Sequence, residues 1–216
     1  MIFFHIQDIV LQGISTSDSE MLQSKMNDVL NTKKLFFLKP YNNIIFFPAS
    51  RLANEFLDNY PKFESITAKK HFFHRIEFSF SERSAVGIWC MSNGCKYFDA
   101  QGVQWGDAPQ SSGPLLLIVK DMRADVNEID KDFLPFIHLA VKQLSEFGIS
   151  VSNVHIPADT FHEFWVFTGQ GYRILFDLDT NILNQLEVLN IFLDENGITL
   201  ATEYIDLRID GRVYHK

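Results

Sequence analysis

Only one group of histidines and carboxylates in this chain is dense enough to suggest catalysis: Asp159, His162 and Glu163, just ahead of an apolar strand. An imidazole beside carboxylates can move protons near neutral pH. The same residues also suit a solvated loop, where polar side chains ordinarily collect. His71 and His74 are three apart in a predicted strand, so they face opposite ways and cannot share a metal. His5, His138, His155 and His215 are scattered. There is no G-x-S-x-G elbow, no H-E-x-x-H helix and no phosphate-binding loop. Gly169-Gln170-Gly171 lies between two apolar runs and reads as a turn. Trp89, Trp105 and Trp165 suit a core or sheet face better than a cofactor box. The expectation is a protein that is not an enzyme and needs no cofactor or metal.

Cys90 and Cys95 are the two cysteines, and they bracket Asn93-Gly94. Asn-Gly between β-formers signals a hairpin, because both residues tolerate positive φ. On facing strands the thiols come within disulfide reach. Three states fit the sequence: a disulfide, two reduced structural thiols, or part of a zinc site, which would need two more ligands. A disulfide would place the domain outside the cytosol.

A net charge of −8 argues against nucleic acid, whose binders carry basic stripes. Hydrophobic residues make up 46% of the 216, with 21 Phe, enough for a sizeable aromatic-rich core. No apolar run reaches the roughly 18 residues of a membrane span. Met1-Ile2-Phe3-Phe4 is too short for a signal segment.

The elements that must position these residues fall into two α+β modules. Phe4, Ile6, Ile9, Val10 and Leu11 make a strand ending at Gly13. The run 15–18 offers N-caps for a helix carrying Met21, Leu22, Met26, Val29 and Leu30, before a break at 39–43. Pro48 suits the first helical position of a second helix with Leu52, Phe56, Leu57 and Tyr60. Strands follow from Phe63 to Lys70 and along Ile76, Phe78 and Phe80. The segment 82–105 reads as a β-meander, where one domain ends and the next begins. After Gly113-Pro114, a buried strand is predicted over Leu115 to Val119, a helix from Asp130 to Phe147 stopped by Gly148, and strands over 151–156, 164–167 and 172–176. Asn181 can cap a last helix carrying Leu183, Leu186, Leu189, Ile191, Phe192 and Leu193, ended by Asn196-Gly197. Ile205, Leu207 and Ile209 then alternate with Asp206, Arg208 and Asp210, a terminal strand that reads as a sheet edge. An edge offers unpaired N–H and C=O groups to another chain, or is shielded by its own charges.

The layout resembles the extracytoplasmic part of the FtsQ/DivIB cell-division proteins. The resemblance rests on Ile6-x-x-Ile9-Val10-x-x-Gly13, Phe46-Phe47-Pro48, Tyr60-Pro61 with Ile66, and Glu82-Arg83 with Trp89. Tyr97-Phe98-Asp99-x-x-Gly102-Val103 adds the family's domain junction, and Tyr204-Ile205-Asp206-Leu207-Arg208 with Gly211-Arg212-Val213 its terminal motif. It implies a POTRA domain (β-α-α-β-β) at 1–83 and a mixed α/β "β domain" at 84–216 with a C-terminal edge strand. It also implies a non-enzymatic divisome scaffold at the septum that binds FtsB/DivIC-like and FtsL-like partners and helps control septal peptidoglycan synthesis. Carried over by motif, the partner-binding residues are Tyr204, Asp206, Arg208, Ile209, Asp210, Arg212 and Val213, with Arg208 making a charge-assisted contact to an acidic partner residue. The full-length protein is expected to carry one N-terminal transmembrane helix absent from this chain. A different POTRA-type envelope chaperone or assembly module, binding extended peptides, is the competing expectation.

Overall fold

The computed structural model describes residues 5–32, 43–71, 74–110, 116–159, 162–198 and 203–216. The expectations for Phe4, for 39–42, for Gly113, Pro114 and Leu115, and for the side chains of Val29 and Leu30, lie outside them. The chain divides into two compact units, Met1–Ser84 and Ala85–Lys216.

The first unit runs β1 (Asp8–Gln12), α1 (Thr16–Thr32), α2 (Ala49–Asn59), β2 (Phe63–His71) and β3 (Arg75–Glu82). This β-α-α-β-β order is consistent with a POTRA-type fold. β3 is central, parallel to β1 and antiparallel to β2. Gly13 ends β1 at φ +79, where a Cβ would stand 2.2 Å from the Phe80 carbonyl oxygen, so only glycine fits. The Ser15 hydroxyl then accepts the Asp18 N–H (3.3 Å) and donates to the Asp18 carboxylate (2.6 Å), opening α1 with an acid in its first turn. Pro48 proves to be the N-cap of α2 rather than its first residue, since its carbonyl accepts the Leu52 N–H. Leu52, Ala53 and Phe56 form the helix's buried stripe. They meet Leu22, Met26, Phe63 and the inward row Ile76, Phe78 and Phe80 of β3 in one core.

The second unit opens with the meander β4 (Gly87–Met91), β5 (Gly94–Phe98) and β6 (Gln104–Trp105). It continues through β7 (Leu117–Asp121), α3 (Phe133–Glu146), β8 (Val151–Ile156), β9 (Glu163–Thr168), β10 (Arg173–Asp177), α4 (Ile182–Asn196), β11 (Tyr204–Asp206) and β12 (Tyr214–His215). The sheet order is β12-β11-β10-β9-β8-β7-β4-β5-β6. β4, β7, β8, β10 and β11 all point the same way, with α3 crossing from β7 to β8 and α4 from β10 to β11. α3 starts at Phe133, later than the pattern suggests, so that Pro135 falls in the first turn, where no N–H is needed. It ends as expected at Gly148. The Gly148 and Ile149 N–H groups bond the Ser145 and Leu144 carbonyls, a Schellman closure.

Both helices pack on one sheet face, burying Trp89, Val119, Val154, Val166, Ile174 and Ile205 beneath Ile137, Leu144, Leu186 and Leu189. On the opposite face a single register row crosses seven strands: Cys90, Lys120, His155, Trp165, Leu175, Asp206 and Tyr214. In α4 the apolar residues do not all turn inward. Leu183 and Ile191 are exposed and Gln185 is buried instead. Among the described residues no helix is long and apolar enough to cross a membrane.

Candidate functional site

Because five strands run parallel, their C-terminal ends share one rim of the sheet, where Asp121, Asp177 and Asp206 close β7, β10 and β11. Glu163 opens the antiparallel β9 at the same rim. Strand ends of this kind are where open α/β sheets present their chemistry.

At this rim the sequence expectation of one strand from Tyr204 to Ile209 is corrected. β11 stops at Asp206 because its carboxylate accepts the Arg208 N–H (3.1 Å), an Asx-type turn that bends the chain off the sheet. The Arg208 guanidinium then forks back, donating Nε to Asp206 Oδ1 (2.9 Å) and Nη2 to Oδ2 (2.7 Å). Its Nη1 reaches Glu163 Oε2 on β9, two strands away. Burial works to raise the Asp206 carboxyl, but the Arg208 hydrogen bonds and charge outweigh it, and the pKa falls below the ordinary aspartate value. The bonds to Asp206, ahead of that to Glu163, push the Arg208 pKa up. Arg208 is therefore a clasp within the domain, holding β11 to β9.

A cleft of about 270 Å³ lies here, lined by Glu163, Asp177, Asp179, Asp206, Arg208 and Ile209. His162, at φ +61, turns its Nδ1 to Asp179 (3.0 Å), and that hydrogen bond raises its pKa. The Asp159, His162 and Glu163 group thus divides: His162 serves Asp179 and Glu163 serves Arg208.

Among the described residues the outer strand at this end of the sheet is β12 rather than β11. β11 is flanked by β10 on one side and β12 on the other. Ile209 and Asp210 are exposed in the turn between β11 and β12, which Gly211 (φ +68) and the Arg212 N–H to the Ile209 carbonyl close. Val213 packs against the main core and Tyr214 is exposed. The Lys216 and Tyr204 N–H and C=O groups exchange hydrogen bonds (3.1 and 3.2 Å), so by antiparallel alternation the His215 N–H and C=O point outward. The His215 ring leans on Phe192 of α4, 5.1 Å between centroids. The residues named from the sequence motif therefore fall into three groups: strand (Tyr204, Asp206), clasp (Arg208) and turn (Ile209, Asp210, Arg212, Val213). His215, missed by motif reasoning, carries the outward-facing backbone.

The clasp has a counterpart that the sequence reading missed. Asp121 and Arg123 repeat the D-x-R spacing at the end of β7, with Arg123 donating Nε to Asp121 Oδ1 (2.9 Å), Nη2 to Oδ2 (2.8 Å) and Nη1 to Asp130 (2.8 Å). Cys90 and Cys95 are joined as a disulfide across the β4–β5 hairpin. Among the described residues no three His, Cys, Asp or Glu side chains gather as a metal set. No protein-family model matches the chain, and neither does any curated protein.

Proposed function

We propose that the chain is the extracytoplasmic part of a divisome scaffold of the FtsQ/DivIB type, which captures a segment of an FtsB/DivIC-like partner by strand addition along β12. FtsL-like protein is the second partner in this reading, and the role is non-enzymatic. The supporting observation is the sheet edge at β12, where the His215 N–H and C=O face away from β11. The order of a β-α-α-β-β unit and then a mixed sheet with C-terminal strands supports it, as do the motif residues of the terminal segment. Arg208 enters this reading as the brace that fixes β11 behind the edge.

The test is hydrogen exchange on the chain with and without a synthetic C-terminal segment of a coiled-coil division protein. New protection at Val213 and His215 is expected, and it should vanish in His215→Pro. That substitution removes an outward donor while sparing the bonds to β11. Protection confined to other residues, or equal binding by His215→Pro, sinks the proposal.

The chaperone reading draws on a different edge. β2, nine residues long, is the longer of the two outer strands of the first unit's sheet. It would show as protection along Phe63–His71 by many unrelated extended peptides.

A further inference from the structure

The Cys90–Cys95 bond closes a hairpin that is already closed. Met91 and Gly94 pair across the two-residue turn Ser92-Asn93, and β7 and β6 hold the outer sides of β4 and β5. A cross-link over so short a loop removes less freedom from the unfolded chain than one that closes a long loop, so its stabilising effect lies at the low end of the usual range. Its setting points elsewhere. The disulfide forms part of the wall of an open cleft of about 490 Å³, shared with Gly94, Lys120, Met122 and Arg123. Gly94 leaves the approach clear, since a Cβ there would meet nothing within 4 Å. Lys120 is the register neighbour of Cys90 on the parallel strand β7, on the same sheet face. Its charge is felt on that face: burial first, and Lys120 second, lower the pKa of His155 next to it in the row. Arg123 is already engaged by Asp121 and Asp130, which leaves Lys120 as the cation placed to meet an anion at the sulfurs. Cys90 is the more exposed of the two cysteines.

We propose that Cys90–Cys95 is a thiol–disulfide exchange site, reduced by a dithiol oxidoreductase that approaches through this cleft. The reductant's thiolate attacks Cys90 Sγ. A bond forms between the two sulfurs as Sγ–Sγ breaks, and Cys95 leaves as a thiolate. The reductant's second thiolate then attacks its own sulfur in the mixed disulfide and releases Cys90 as a thiolate. The reductant ends as a disulfide, oxidised by two electrons; the two cysteines gain those electrons and take up the protons its thiols gave up. Lys120 draws the anionic nucleophile to Cys90. The inference is independent of what binds at β12.

The experiment uses the whole chain in native buffer and a C-x-x-C dithiol protein whose second cysteine is changed to serine, so that the mixed disulfide is trapped. Peptide mass mapping is expected to place the adduct on Cys90. With the unmodified dithiol protein, Lys120→Glu is expected to slow reduction about five-fold, against no change for Lys142→Glu. Reduction only in denaturant overturns the proposal, and so does an adduct on Cys95. Equal rates for Lys120→Glu and Lys142→Glu overturn it too, provided circular dichroism shows both variants folded. The adduct position in the wild-type chain decides the matter if they are not.

Discussion

Arg208 and Arg123 do the same work at two strand ends. Each meets the carboxylate two residues before it with a planar fork and uses its remaining nitrogen on a distant acid. Lysine carries the charge but not the fork. Arg208→Ala should therefore destabilise the chain by about 1–2 kcal/mol in urea unfolding, and Arg208→Lys should recover little of that loss. The magnitude is held below that of a fully buried pair because the Arg208 side chain is 36% exposed. The clasp also fixes an acid limb of stability. Folded Asp206 ionises at lower pH than unfolded aspartate, so its contribution is present above the unfolded value of about 3.9 and is lost as pH falls through the lowered one. Asp130, desolvated but overruled by Arg123, behaves alike. In Asp206→Asn the fall in stability below about pH 4 should be shallower than in the wild type, measured as denaturation midpoint against pH. The D-x-R spacing was visible in the sequence at both places. What it meant was not, because Glu163 and Asp130 reach the guanidinium nitrogens only after the strands are laid side by side.

α4 shows where a helical pattern misleads. Asn181 was legible as its cap, and its side chain accepts the Leu183 N–H at 2.9 Å. Leucines recur at 183, 186, 189 and 193, but Leu183 faces solvent while Gln185 is buried. The reason lies at the rim of the sheet. Gln185 donates to the Asp177 carbonyl (2.7 Å) and the Thr180 hydroxyl (2.8 Å), and accepts the Asp177 N–H (3.0 Å). It supplies the strand end with partners that the ladder no longer provides. Gln185→Leu adds apolar surface but strands those groups, and should cost about 1–3 kcal/mol by chemical denaturation. A polar residue among leucines gives no sign in sequence of which backbone it will serve. By contrast, the alternation Ile76, Phe78, Phe80 and the stop at Gly148 could be read directly, because each depends only on its own neighbours in the chain. The end of β11 could not, since the alternation runs on through Ile209 while the backbone has already turned.

Among the described residues, each compact unit has a hydrophobic core of its own. Ile76→Ala, at a fully buried site of the first core, should destabilise by about 2–4 kcal/mol. Hydrogen exchange should show the loss of protection in β1, β2 and β3, with the amides of β8, β9 and β10 unchanged. Ile137→Ala should give the reverse. The two-module division was legible because strand-like and helix-like patterns alternate twice. The nine-strand order was not, since nothing local says that β7 inserts beside β4. That order has a consequence for synthesis of the chain. From β7 to β12 the spatial sequence follows the chain, so each of these strands lies beside the one made just before it. β12, an outer strand in space, is also the last of these strands in chain order, so this margin cannot meet a partner before every strand behind it has been made.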